Sequence, residues 1–208
     1  MILSAKGITH YYQNDLALDR VDLDVKEGEF IALIGESGSG KSTLLSILSS
    51  LLKPTSGELF YQGTPFSKIK NIDAFRQSQI GFIFQFHYLI SYLSIVENIQ
   101  IAAKELDKNY LNTLLKECGI EAIASKYPDE ISGGQRQRSA IVRSLINRPK
   151  IIFADEPTGN LDSKNSQNIY ELFKQLSQQG TTLIVATHDT KLAQFADKII
   201  EVKDGKIL

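Results

Sequence analysis

Residues 35–43, GESGSGKST, carry the spacing G-x-x-x-x-G-K-[ST], with Gly35, Gly40, Lys41 and Ser42 in place. A strand-like run, FIALI (30–34), precedes them and a helix-like run, KSTLLSILSSLL (41–52), follows. In that setting the glycines let the backbone wrap a phosphate with its N–H groups inward. Lys41 then reaches β- and γ-phosphates, and the Ser42 hydroxyl can ligate Mg²⁺. Ser37, Gly38 and Thr43 complete the candidate contacts of this loop.

A second constellation is IIFADEPTGNLD (151–162), four apolar residues ending in two acids. Acids at the C-terminal edge of a buried strand sit where α/β sheets bind ligands. Asp155 is the candidate Mg²⁺ ligand, direct or through water. Glu156 can aim at a water on the γ-phosphate, and a general base placed there contributes about 10²–10⁴ in rate. Two further residues stand just past strand-like runs: His188 in LIVATHDTK and Gln85 ending IGFIFQ. The imidazole could hydrogen-bond the γ-phosphate or orient Glu156; the amide could ligate Mg²⁺ or hold the attacking water.

A third stretch, DEISGGQRQRSAIVRSL (129–145), puts Ser132, Gly133 and Gly134 at the head of a helix. A helix N-terminus is an anion site, with free N–H groups and a partial positive charge. One nucleotide does not need two such loops. Arg136 and Arg143, seven residues apart on one face, are expected to form ion pairs or to contact an interface rim.

These groups need a scaffold. Apolar runs at 30–34, 59–61, 80–84, 151–154, 182–186 and 198–202 read as strands buried on both faces, hence a largely parallel sheet covered by helices. Leu44, Ile47, Leu48 and Leu51 give the 41–52 helix one apolar face, and Pro54 stops it. A second helix runs from Ser163 and closes at Gly180. The first 28 residues alternate, as in LDRVDLDV (18–25), and predict antiparallel strands on the sheet's edge. Between 84 and 151 no good strand is visible, and 94–106, 109–119 and 134–147 read helical. The middle of the chain is thus a helical insertion into an α/β domain.

The 208 residues are 42% hydrophobic with a net charge of −1, which fits one domain and gives no general nucleic-acid footprint. A lone cysteine, Cys118, excludes an intrachain disulfide and suits a reducing compartment. The N-terminus lacks a signal pattern, and no apolar run approaches the roughly 20 residues of a membrane helix. A soluble chain is expected, with membrane contact only through a partner.

Together the motifs resemble the ATP-binding subunit of ABC transporters over nearly the whole chain. GESGSGKST resembles the Walker A loop, FIFQ with Gln85 the Q-loop, and ISGGQ (131–135) the family signature. IIFADE resembles Walker B, GNLD (159–162) the D-loop, and ATHD the switch-histidine loop. The fold implied is a P-loop NTPase with a RecA-like α/β core, an antiparallel β edge and an inserted α-helical subdomain. Residues 1–85 and 148–208 would form the core of the single domain, and 86–147 the helical part. The resemblance implies ATP and Mg²⁺ as cofactors and a homodimer, or a pair with a homologous ATPase subunit. In it Ser132, Gly133 and Gly134 serve the other subunit's nucleotide, and Gln135 and Asp162 are further nucleotide-binding residues. Tyr12, in ITHYYQND, would stack on adenine, with Tyr11 as the other candidate. Glu156, His188 and Gln85 would be catalytic; Ser42, Gln85 and Asp155 would hold the metal.

The run GFIFQFHYLISYLSIVENI (81–99) is most similar to lipoprotein-releasing (LolD-type), macrolide-exporting (MacB-type) and cell-division (FtsE-type) members. The signature begins with Ile131 where leucine is commoner. The resemblance implies ATP hydrolysis powering an integral membrane permease, for lipoprotein release or export, at the cytoplasmic face of the inner membrane. An FtsE-like regulatory ATPase acting on a division partner is the alternative. FHYLI and YLSIV would either pack the core or floor a groove for a short helix of that permease. A DNA-repair ATPase would insert a long coiled coil, and the gap here has no heptad run.

Overall fold

The computed structural model describes residues 1–159 and 161–208, so Asn160 of the GNLD run lies outside the described residues. Strands β1 (Leu3–Tyr12) and β2 (Asp15–Val25) form an antiparallel hairpin, as the alternation predicts. They do not extend the parallel sheet. After β3 (Phe30–Ile34), α1 (Lys41–Leu48) and β4 (Ser56–Tyr61), β4 pairs antiparallel with β1 and with the two-residue β5 (Thr64–Pro65). The result is a separate four-stranded sheet, ordered β2-β1-β4-β5. The expectation of edge strands, and of 59–61 in the parallel sheet, is corrected accordingly. β1 already bonds β2 on one side, so β4 completes it on the other.

The second sheet contains β6 (Ile80–Ile83), β7 (Ile151–Asp155), β8 (Thr182–Ala186), β9 (Lys198–Lys203) and β10 (Lys206–Ile207), with β3 inside it. Its order is β10-β9-β3-β8-β7-β6, parallel except for the β9–β10 hairpin. The strand period of two divides the apolar core. Ile31, Leu33, Phe153 and Ile184 face α1 and the small sheet, packing with Leu44, Leu48, Ile8 and Val21. Phe30, Ile152, Leu183 and Val185 face the other way. There they meet α3 (Ile95–Gln100), α4 (Lys108–Glu117), α5 (Gly133–Leu145) and α6 (Ser163–Gln178). Phe173 of α6 packs edge-on against Phe30 at 6.3 Å. Cys118 lies in this second core, where burial pushes its thiol up to about 12.

Two helix expectations change and one helix is new. α1 ends at Leu48, not Leu52: Ser50 turns left-handed (φ 61°) and the N–H of Leu51 reaches back to the Ser46 carbonyl at 2.9 Å. That is a C-terminal cap in which serine holds the place usual for glycine, and Leu51 is left exposed. α3 stops at Gln100, not 106. The Asn147 side chain takes the Ala102 carbonyl (2.8 Å) and the Lys104 N–H (2.8 Å), which another helical turn would have used. A further helix, α2 (Ile72–Gln79), has no counterpart in the sequence pattern; it has no buried residue, and Asn71 caps it by accepting from the Ala74 N–H. α6 closes at Gly180 (φ 94°) as anticipated. A short α7 (Thr190–Ala193) follows β8.

Candidate nucleotide site

The sheet order explains why distant residues meet. Across β3, β8, β7 and β6 the C-terminal edges present, side by side, the 35–43 loop, His188, Asp155 with Glu156, and Gln85. A cleft of about 640 Å³ opens there, lined by Tyr12, Gly35, Ser37, Gly38, Gly40, Lys41, Ser42, Thr43, Gln85, Glu156 and His188. Ala17 and Glu36 also line it, and sequence reasoning missed both.

The loop is shaped by close approaches. A Cβ on Gly35 would come within 2.1 Å of the Val202 carbonyl oxygen, and one on Gly40 (φ 106°) within 2.8 Å of that of Ala17. Only glycine fits either position. The Gly40 contact also shows how the small sheet seats β2 beside the loop, and with it Tyr12 at the end of the paired strand β1. The half-exposed Tyr12 ring meets the buried His10 ring edge-on at 4.8 Å. Lys41 Nζ donates to the Gly35 and Glu36 carbonyls at 2.7 and 2.8 Å, so the ammonium lies inside the loop.

Ser42 Oγ donates to Asp155 Oδ1 at 3.0 Å. Hydroxyl and carboxylate oxygens at the mouth of a phosphate loop are the hard donors Mg²⁺ takes beside substrate phosphates and water. Burial raises the Asp155 carboxyl above its ordinary value; the Ser42 bond opposes this and the Glu156 charge adds to it. A raised folded-state acid costs nothing while protonated in both states. Its penalty develops as pH climbs from the ordinary value through the raised one. Asp155→Asn is therefore expected to raise the Tm of the nucleotide-free protein at neutral pH. The gain should shrink as pH falls toward 3.8, the ordinary value. A gain constant with pH would contradict the burial account.

Glu156 follows Asp155 in a left-handed conformation, φ 45°. Non-glycine residues hold that state only where their surroundings enforce it, at a cost of about 1–3 kcal/mol. Its carboxylate accepts from His188 Nδ1 at 2.9 Å, Thr187 Oγ1 at 3.2 Å and the His188 N–H at 3.4 Å. The glutamate side chain is 16% exposed and the imidazole 75%. A carboxylate so aimed, beside a phosphate loop, can take a proton from a water.

The remaining candidates lie elsewhere. Ser132 caps α5, accepting from the Gln135 N–H at 3.3 Å while Gln135 Oε1 accepts from the Ser132 N–H at 2.9 Å. Ser132, Gly133, Gly134 and Gln135 do not line the cleft. Asp162 caps α6, accepting from Asn165, and does not line it either. Of the two expectations for Arg136 and Arg143, the ion pairs are not seen among the described residues. Arg136 donates to the Pro128 carbonyl (3.0 Å), and Arg143 to those of His87 and Tyr88 (2.6 and 2.7 Å). With His87 Nε2 donating to the Gly133 carbonyl at 2.9 Å, the Arg143 bonds tie the segment after Gln85 to both ends of α5. Beyond it Phe86, Tyr88 and Tyr92 are exposed, Tyr92 to 79%, while buried Asn98 pins residues 90–94 from below. The segment thus has a packed floor and an exposed aromatic surface.

A family model described as ABC transporter matches residues 18–159. A lipoprotein-releasing system ATP-binding protein, LolD, of Aquifex aeolicus is 40% identical, covering 100% of this chain and 96% of its own. A Staphylococcus haemolyticus ATP-binding protein named for hemin import, HrtA, is 42% identical, covering 100% and 99%. Among solved structures, a dimeric post-hydrolysis ATP-binding cassette bound to ADP and Pi superposes with a TM-score of 0.91 at 37% identity, covering 99% of this chain and 96% of that one.

Proposed function

The chain belongs to the ABC transporter family, as an ATP-hydrolysing cassette, and we propose that it powers a separate membrane permease of the lipoprotein-releasing type. The observation that carries the catalytic reading is the Glu156 carboxylate, held by His188 and Thr187 at the mouth of the loop beside the Ser42–Asp155 pair. Residues 1–85 and 148–208 form the nucleotide core in this reading, and 86–147 the helical part of one domain.

Tyr12 stacks on adenine. The N–H groups of Gly35, Ser37, Gly38, Gly40 and Thr43 surround the phosphates, and Lys41 exchanges a loop carbonyl for the β- and γ-oxygens. Ser42, Asp155 and Gln85 would hold Mg²⁺, which would supply charge neutralisation for the phosphates. Glu156 takes the proton of the attacking water. His188 orients the Glu156 carboxylate and reaches the γ-phosphate. The signature residues Ser132, Gly133, Gly134 and Gln135, with Asp162, have no nucleotide in their own subunit to meet. They close on the ATP of a second copy, so two head-to-tail copies enclose two nucleotides. The γ-phosphate joins the halves and its loss releases them, a two-state switch. Dimeric cassettes among the structural relatives support this arrangement.

No helix among the described residues is long and apolar enough to cross a membrane. The cassette is placed on the cytoplasmic face of the cell membrane, where Phe86, Tyr88 and Tyr92 receive a permease helix. The full-length LolD relatives support lipoprotein as cargo. The complex purified from detergent-solubilised membranes should contain an integral permease, and lipoprotein added to it in proteoliposomes should be released on ATP addition. A partner that moves hemin, or a division protein with no released cargo, would overturn the lipoprotein assignment.

A further inference from the structure

The carboxylate of Glu156 is fixed by groups that do not belong to its own loop. Three donors reach it from residues 187 and 188. Those residues are fixed in turn by Asp189, whose N–H donates to Thr187 Oγ1 at 3.0 Å and whose side chain caps α7 through the Lys191 N–H at 2.8 Å. The other carboxylate oxygen of Asp189 accepts the hydroxyl of Tyr170, on α6.

Tyr170 is 3% exposed and packs against Phe195, ring centroids 5.5 Å apart. A phenol hydroxyl at that depth needs a partner. Here that partner is the Asp189 carboxylate, in the cap after His188. Burial works to raise the Asp189 carboxyl, and the Tyr170 hydroxyl with the α7 N–H groups holds it below its ordinary value. Asp189 is therefore the accepting carboxylate of the pair.

We propose that Tyr170 is a positioning residue for hydrolysis, tying the 187–189 segment to α6 so that Thr187 and His188 hold Glu156 in its left-handed, water-facing geometry. The inference rests on the reading of Glu156 as the base. It extends the site to the helix capped by Asp162, so a shift of that helix reaches the hydrolytic carboxylate through Tyr170, Asp189 and Thr187.

The test is Tyr170→Phe, which keeps the ring and removes the hydroxyl. Small displacements of a catalytic group cost large factors in rate, so kcat should fall about tenfold with KM for ATP within about twofold. Asp189→Asn, which still caps α7, should move kcat in the same direction. In a Glu156→Gln background, Tyr170→Phe should change the residual rate by less than about twofold, because residues that act through one group are not additive. Wild-type kcat in Tyr170→Phe, beside a Glu156→Gln enzyme that has lost turnover, would overturn the positioning role alone. So would equal slowing of the wild-type and Glu156→Gln backgrounds. Near-normal turnover in Glu156→Gln would instead overturn the base reading, and this inference with it.

Discussion

Glu156→Gln is expected to lower ATP turnover at least about a hundredfold while ATP binding survives. The amide keeps the shape of the carboxylate and can still face His188 and Thr187, but it cannot accept the proton of the attacking water. The phosphate loop, the Ser42–Asp155 pair and Tyr12 are untouched, so affinity should stay within a few-fold. ATP that binds and is not cleaved keeps its γ-phosphate, and the two-copy state should accumulate. Steady-state phosphate release alongside equilibrium nucleotide binding checks both halves. Turnover within a few-fold of wild type would move the base elsewhere. Loss of binding would mean that Glu156 shapes the cleft rather than acting in it.

Ser132→Arg is expected to abolish hydrolysis by a different route. Ser132 lies at the head of α5, outside the cleft that holds Lys41. If α5 serves a second copy's nucleotide, a guanidinium there blocks association while leaving the monomer's affinity for ATP intact. The substitution also removes a helix cap, worth about 1 kcal/mol, which is too little to unfold a domain stabilised by about 5–15 kcal/mol. The expected result is a folded monomer that binds ATP normally and does not turn it over. Collapse of monomer affinity would show that the signature serves its own subunit's site.

How far the sequence carried these conclusions follows from which interactions are local. The phosphate loop, the two acids after IIFA and the histidine after TLIVA sit at strand ends, and four buried strands suffice to bring them to one edge. Their clustering was legible because apolar runs of five residues have few other readings. The partition into two sheets was not, since pairing β4 with β1 spans about fifty residues that no local pattern records. α1 looked longer than it is because Leu51 continues its apolar period, whereas the cap at Ser50 depends on a left-handed turn that serine rarely takes. Ion pairs were one of two expectations for Arg136 and Arg143 because their carbonyl partners are invisible in sequence. Nothing in the sequence marks Tyr170 beyond its place in the helix from Ser163. Only the fold places its hydroxyl beside Asp189.

The central claim is that ATP is enclosed between two copies, with one copy's loop and the other's α5 on each nucleotide. Analytical ultracentrifugation of the Glu156→Gln protein with Mg²⁺ and ATP tests it most directly. The expected masses are twice the monomer with ATP, the monomer with ADP, and the monomer with ATP once Ser132→Arg is added. A mass that ignores the nucleotide, or a dimer that survives Ser132→Arg, would contradict it.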